Sequence, residues 1–275
     1  MISNKIIRIA VSGCCGKMGK RISSLAVEDK KFFLAVAIDE KKHSETGRDF
    51  GEYLGGRKSG VLIQSDCRSV LESADVLIEF STVPATMSHL DDCVSMGKPL
   101  VIGTTALTAK DEKKIELAAQ KIPIVKSSNM SLGVNLLFKI LKDTVRKMGS
   151  YYDIEIIEAH HNQKKDAPSG TALSMAKIIC DSLGLNEKKA LRFGRHGISG
   201  PRSKKEIAVH AIRGGEIVGD HTILFAGKGE NIEFTHRALS RDTFAKGALL
   251  AARFICDKKK GLYNMQDVLE IQEDV

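Results

Sequence analysis

The first half of the chain alternates two hydrophobic rhythms. Residues 6–12 form a largely apolar, β-branched run, and residues 17–28 then space Met18, Ile22 and Leu25 along one face of a helix. Residues 32–38, 75–80, 99–103 and 122–125 read as further buried strands, with helices over 84–96 and 108–120. Pro84 suits a first helical turn and Thr108 suits an N-cap. Apolar strands that do not alternate with polar residues, interleaved with helices, predict an α/β domain with a parallel sheet covered on both faces. The polar, glycine-rich stretch 39–60 reads as loop with little regular structure.

The second half changes rhythm. A long helix is expected over 132–148, a partly alternating strand over 151–159 and a helix over 169–183. Three strand-like runs follow at 206–213, 217–226 and 231–238, the last two joined by Gly227-Lys228-Gly229-Glu230 as a hairpin. Strands clustered in this way predict an α+β domain with a mixed sheet. An amphipathic helix over 243–256 ends the pattern, and the domain break is expected near residues 127–131.

Composition narrows the function classes. The 275 residues are 43% hydrophobic and 28% charged, the balance of a globular chain, and no apolar run is long enough to cross a bilayer. A net charge of +8 would suit nucleic acid, but the lysine runs are scattered, aromatics are only 5% and Trp is absent. Attraction for small anionic ligands is the better use of that charge. Six cysteines without a CxxC or framework spacing, and a strand pattern beginning almost at once with no signal peptide, predict a reduced, cytoplasmic protein.

The strand over 6–12 runs into Gly13-Cys14-Cys15-Gly16-Lys17-Met18-Gly19, which opens a helix. There a dinucleotide pyrophosphate can sit on free backbone N–H groups, with glycines where a Cβ would obstruct the turn. Asp39 ends the next strand, 20 positions beyond Gly19, where a carboxylate accepts hydrogen bonds from the adenosine ribose. Glu40 beside it makes two carboxylates where a 2′-phosphate would lie, so NADH is expected to be preferred over NADPH. Lys17, Lys41 and Lys42 temper that preference. Gly103-Thr104-Thr105 and Ser127-Ser128-Asn129-Met130 leave other strand ends, as candidate nicotinamide contacts or as plain turns.

The most informative segment is Glu158-Ala159-His160-His161-Asn162-Gln163-Lys164-Lys165-Asp166-Ala167-Pro168-Ser169-Gly170-Thr171. A strand ends at a histidine pair, a loop carries lysines, and Ser169-Gly170-Thr171 opens a helix whose N–H groups suit a substrate carboxylate. Lys164 supplies a cation or a proton, and a histidine can donate a proton near neutrality. His160, His161, His210, His221 and His236 lack the spacing of a zinc site, so no metal is expected.

These motifs, with Glu79-Phe80-Ser81, Arg213-Gly214-Gly215-Glu216-Ile217-Val218-Gly219-Asp220-His221 and Thr235-His236-Arg237-Ala238, resemble the 4-hydroxy-tetrahydrodipicolinate reductase family (formerly dihydrodipicolinate reductase) over nearly the whole chain. The resemblance implies a Rossmann-like domain over 1–130, completed by 241–275, and a domain over 131–240 that binds substrate and builds a homotetramer. It implies cofactor contacts at Gly13, Cys14, Cys15, Gly16, Lys17, Met18, Asp39, Gly103, Thr104, Thr105, Ser127, Ser128, Asn129 and Met130. Substrate, a small cyclic dicarboxylate, would meet His161, Ser169, Gly170 and Thr171, with His160 and Lys164 as the acid–base pair. Another two-domain nicotinamide dehydrogenase acting on a small anion, or a non-catalytic NAD(H) sensor, are the rival readings. Cys14 and Cys15 depart from the small residues common in that loop. They invite a redox-sensitive reading, since helix N-termini lower thiol pKa; tolerated small side chains are the plainer account.

Overall fold

The computed structural model describes residues 6–270. They fall into two compact units, one holding the chain up to Leu132 together with the part from Asp242 onward, the other Gly133–Arg241.

The first unit is built from β1 (Ile7–Ser12), α1 (Lys17–Glu28), β2 (Phe32–Ile38), α2 (Phe50–Tyr53), β3 (Ile63–Gln64), α3 (Cys67–Val70), β4 (Val76–Glu79), α4 (Val83–Met96), β5 (Leu100–Ile102), α5 (Ala109–Ala119) and β6 (Pro123–Lys126). With β12 (Gly261–Tyr263) from the later part of the chain, its seven-stranded sheet runs β12-β6-β5-β4-β1-β2-β3, with every strand pair parallel. Successive strand residues point to opposite faces, and both faces are apolar. Ile9, Val11 and Ile78 join one core with Ile22 of α1; Ala10, Leu77 and Leu100 join the other with Leu90 of α4 and Ile115 of α5. Strand order reverses between β1 and β4, which opens a crevice at their C-terminal ends, where ligands bind in such sheets.

Thr108 caps α5 in a capping box with Asp111, and Pro84 sits in the first turn of α4. The stretch 39–60 is more ordered than its composition predicts. Asp49 is buried and accepts from the backbone N–H groups of Gly51, Glu52, Ser59 and Gly60, which winds the one-turn α2 and buries Phe50. Burial alone would raise the Asp49 carboxyl pKa, but these donors hold it down at about 2.

The second unit contains α6 (Leu132–Met148, whose first residue belongs to the other unit), β7 (Asp153–His160), α7 (Gly170–Leu183), α8 (Glu187–Ala190), β8 (Leu191–Phe193), β9 (Ile207–Arg213), β10 (Gly219–Ala226) and β11 (Asn231–Ala238). Its sheet, β11-β10-β7-β9-β8, is mixed: β7 pairs antiparallel with β10 and parallel with β9. Leu141 and Val145 of α6 and Met175 and Ile179 of α7 pack with Ile154, Ile156, Ile223 and Phe225 on one face. Ile157, Leu224 and Ile212 point to the opposite face and stay partly or largely exposed.

After β11 the chain rejoins the first unit through α9 (Asp242–Cys256), β12 (Gly261–Tyr263) and α10 (Met265–Glu270). Ala248, Ala252 and Ile255 of α9 pack in the same core as Ile22, and β12 pairs with β6.

Candidate active site

The glycine loop lies at the sheet's reversal point. Gly13 has φ 72°, and a Cβ there would stand 2.5 Å from the Phe80 carbonyl oxygen. A Cβ on Gly19 would overlap the Gly13 carbonyl, so that glycine lets α1 start tightly against β1. Gly16 is the N-cap of α1 and makes no side-chain cap, which leaves first-turn N–H groups for an anionic ligand. The neighbouring loops are stitched alongside: Phe80 N donates to Ser12 O, Gly103 N to Glu79 O and Ser127 N to Ile102 O.

Asp39 sits at the end of β2, its carboxylate accepting from Cys15 N at 2.7 Å and from Glu40 N at 2.9 Å. Each oxygen keeps a lone pair for a ribose hydroxyl. Thr104 is buried with its hydroxyl 2.8 Å from that of Thr86, while Thr105 and Ser128 are exposed. Ser127 donates its hydroxyl to Asn129 O, and Met130 is buried. Lys17 is exposed and Met18 half-buried. A glycine turn, an uncapped helix and an acid one strand away therefore fit a dinucleotide. Beneath them Glu79, fully buried, accepts from Ser81 N and lies 2.6 Å from His89 Nδ1.

The surroundings of the two thiols favour the plainer account, tolerated small side chains, over the redox-sensitive one. Burial, with the nearby Asp39 carboxylate adding to it, pushes Cys15 up, and burial pushes Cys14 up much further. Desolvation of a thiolate outweighs the helix N-terminus here.

In the second unit one carboxylate organises the constellation. Glu158 is fully buried on the helix-covered face of β7. One oxygen accepts from Ser169 N at 3.0 Å and Arg213 Nη2 at 2.8 Å; the other accepts from Arg213 Nη1 at 2.8 Å and lies 2.6 Å from His160 Nδ1. Glu158 thus ties the ends of β7 and β9 to the first turn of α7. Burial opposes its ionisation, but Arg213, His160 and the Ser169 N–H together hold its pKa below the ordinary value. An ionised Glu158 requires the proton of neutral His160 on Nδ1, so Nε2 carries the lone pair. Nε2 would lie 3.0 Å from a Cβ on Gly219, and the glycine leaves that side open. Burial lowers the His160 pKa despite Glu158, so the ring is neutral at pH 7.

Ser169 caps α7, accepting from Ala172 N at 3.1 Å, and its hydroxyl lies 2.9 Å from His221 Nε2. His221 stacks edge-to-face on His160 with centroids 5.1 Å apart. Burial, with His160 nearby, draws the His221 pKa down to about 3. Its Nδ1 and Arg213 Nε are buried without a partner. Lys164 bonds both oxygens of Asp166, at 2.8 and 2.9 Å. His161 lies just beyond the strand and is half-buried; Gly170 is exposed and Thr171 buried.

The structure therefore gathers His160, Ser169, Gly170 and Thr171 around the end of β7, with Lys164 on the loop between. Sequence reasoning gave Glu158, Arg213 and His221 no role, although all three stand in motifs that carried the family resemblance. What a lone Glu, Arg or His does depends on pairing partners up to 55 positions apart.

Two family models, described as dihydrodipicolinate reductase N-terminus and C-terminus, match residues 7–130 and 133–269. The chain is similar to 4-hydroxy-tetrahydrodipicolinate reductase of Syntrophus aciditrophicus (44% identical over 264 residues, 96% of this chain and 98% of that one). It is also similar to the reductase of that name from Syntrophotalea carbinolica (43% over 267 residues, 97% and 100%). A solved dipicolinate-bound dihydrodipicolinate reductase from Paenisporosarcina sp. TG-14 shares the fold, with TM-score 0.72, 24% identity and coverage of 94% and 97%. Matched at both ends and over nearly its full length, the chain belongs to the dihydrodipicolinate reductase family.

Proposed function

We propose that the chain reduces 4-hydroxy-tetrahydrodipicolinate to tetrahydrodipicolinate with NADH or NADPH, in the diaminopimelate and lysine pathway. The observation that carries this reading is the Glu158 hub, which orients His160 beside the N-terminus of α7, in a chain that also holds a dinucleotide loop. The nicotinamide supplies a hydride to ring C4. The cofactor would rest on Gly13, Cys14, Cys15, Gly16, Lys17 and Met18, with Asp39 on the ribose and Gly103, Thr104, Thr105, Ser127, Ser128, Asn129 and Met130 towards the nicotinamide.

Substrate carboxylate would meet the Ser169 hydroxyl and the N–H groups of Gly170 and Thr171, with His161 alongside; a helix N-terminus favours negative charge there. Lys164, held by Asp166 on the loop after β7, is the proposed proton donor. His160, neutral with its lone pair on Nε2, accepts a hydrogen bond from substrate. The C4 hydroxyl leaves as water, so one hydride and one proton are consumed. Asp39 and Glu40 repel a 2′-phosphate, which supports preference for NADH. The partly exposed apolar face of the mixed sheet, around Ile157, Leu224 and Ile212, supports association into a homotetramer. Among the described residues no helix is long and apolar enough to cross a membrane, and a cytoplasmic enzyme is the proposed setting.

The test follows NADH and NADPH oxidation with substrate made fresh from aspartate semialdehyde and pyruvate by the preceding synthase. Oxidation should be faster with NADH, and Lys164→Ala should lower kcat by about 100-fold or more with the fold intact. Absence of oxidation with either cofactor, despite measurable NADH binding, would return the protein to the rival dehydrogenases or the sensor.

A further inference from the structure

Cys14 and Cys15 offer only their backbone to the dinucleotide reading, and their sulfurs have no part in it. The fold nevertheless aims both at one point. β1 and β2 pair in parallel with Ser12 opposite Ile38, so the loops leaving the two strands run side by side. Cys14 N donates to Ile38 O at 3.1 Å, and Cys15 N donates to the Asp39 carboxylate at 2.7 Å. The two Sγ atoms stand 3.9 Å apart. Two thiols and one carboxylate oxygen, from Cys14, Cys15 and Asp39, all lie within 4.8 Å of one another. No histidine joins them, so this cluster differs from the histidine set weighed on sequence spacing.

Those separations fit a tetrahedral ion. With metal–sulfur bonds of about 2.3 Å, two thiolates on a tetrahedral centre lie roughly 3.8 Å apart. Two sulfurs and one carboxylate select a thiophilic ion of the zinc class over magnesium or calcium. Three ligand charges on a divalent ion leave one net negative charge at the N-terminus of α1, where the helix dipole favours it. The strand register supplies the preorganisation, because each ligand-bearing loop is already fixed by a backbone N–H.

We propose that Cys14, Cys15 and Asp39 form a binding site for a thiophilic divalent cation, and that its occupation excludes the dinucleotide. The first half of the proposal stands on the cluster alone; the second rests on the nucleotide reading of the glycine loop. Binding replaces two S–H bonds with two sulfur–metal bonds and releases two protons to solvent, while Asp39 gives the third ligand and water the fourth. Affinity therefore rises with pH. A coordinated Asp39 can no longer serve the ribose, and an ion beside the uncapped first turn of α1 takes the place of the pyrophosphate.

The test uses the reduced full-length protein in metal-free buffer, titrated with cadmium as the probe for zinc-class ions. The ultraviolet thiolate-to-cadmium charge-transfer band should saturate at one ion per chain. Cys14→Ser and Cys15→Ser should each weaken binding by about tenfold or more, with Asp39→Asn weakening it less. NADH binding, read separately by its fluorescence, should weaken in proportion to cadmium occupancy. A missing band, or one retained in both serine variants and so arising from other cysteines, overturns the site. Normal NADH binding to the cadmium-saturated protein overturns the exclusion. Failure of NADH to bind even without metal overturns the nucleotide reading and the exclusion together, while a saturable band would still uphold the ion site.

Discussion

At the scale of single residues, Glu158 and His221 carry opposite electrostatic assignments. Glu158 is buried but surrounded by donors, so it stays charged; His221 is buried with a hydroxyl and another histidine, so it stays neutral. Glu158→Gln would remove the carboxylate charge that raises the His160 pKa and leave Arg213 without its ionic partner. Its expected cost is about 3 kcal/mol of stability, by analogy with broken buried pairs. Its specific signature is in the pH profile of kcat: any limb set by His160 should move to lower pH, and Glu158→Asp should restore part of the rate. A limb that stays in place would show that Glu158 does not act through His160. His221 gives a stability prediction with a definite sign. Its folded pKa of about 3 lies below the ordinary histidine value of 6.5, so between those limits the unfolded chain binds a proton that the folded one refuses. Stability should fall as pH drops through that window, by at most a few kcal/mol. Urea titrations of His221→Asn should flatten that dependence; an unchanged slope would sink the assignment.

At the scale of elements, the helix ends do most of the chemistry. α7 begins with a side-chain cap from Ser169, whereas α1 begins with Gly16 and no side-chain cap. The difference suits a small carboxylate beside a hydroxyl in one case and a bulkier phosphate on bare backbone in the other. Gly19 is what lets α1 follow β1 so closely. Gly19→Ala places a methyl group against the Gly13 carbonyl, and overpacking of that order costs about 1–3 kcal/mol. NADH affinity should fall with it while circular dichroism stays close to the parent; unchanged NADH affinity would argue that the turn does not shape the cofactor site. The long elements were legible because their apolar periods run over ten or more residues, as in α4, α5 and α6. Several short ones were not: α2, β3, β8 and β12 have two to four residues each, too few for a period, and lack the buried apolar run that marked the equally short β4, β5 and β6.

For the whole molecule, the mixed sheet of the second unit has one face filled by α6 and α7 and another carrying Ile157, Leu224 and Ile212, which stay partly or largely exposed. If the proposed homotetramer assembles through this face, Leu224→Glu should lower the mass seen by light scattering, because a carboxylate cannot be buried there without a partner. An unaltered mass would place any subunit contact elsewhere. The sequence by itself determined the two-part organisation, the long helices and strands, and the glycine and Glu158-to-Thr171 motifs, since periodicity and local turn chemistry act over neighbouring residues. It could not decide which groups pair across the fold. Glu158 meets Arg213 and Ser169 only because β7 lies beside β9 with α7 at its end, and Cys15 meets Asp39 only because Ser12 registers with Ile38. Charge state follows from those pairings: the same burial that leaves His221 neutral is overcome at Glu158 by its donors, and only tertiary structure supplies them.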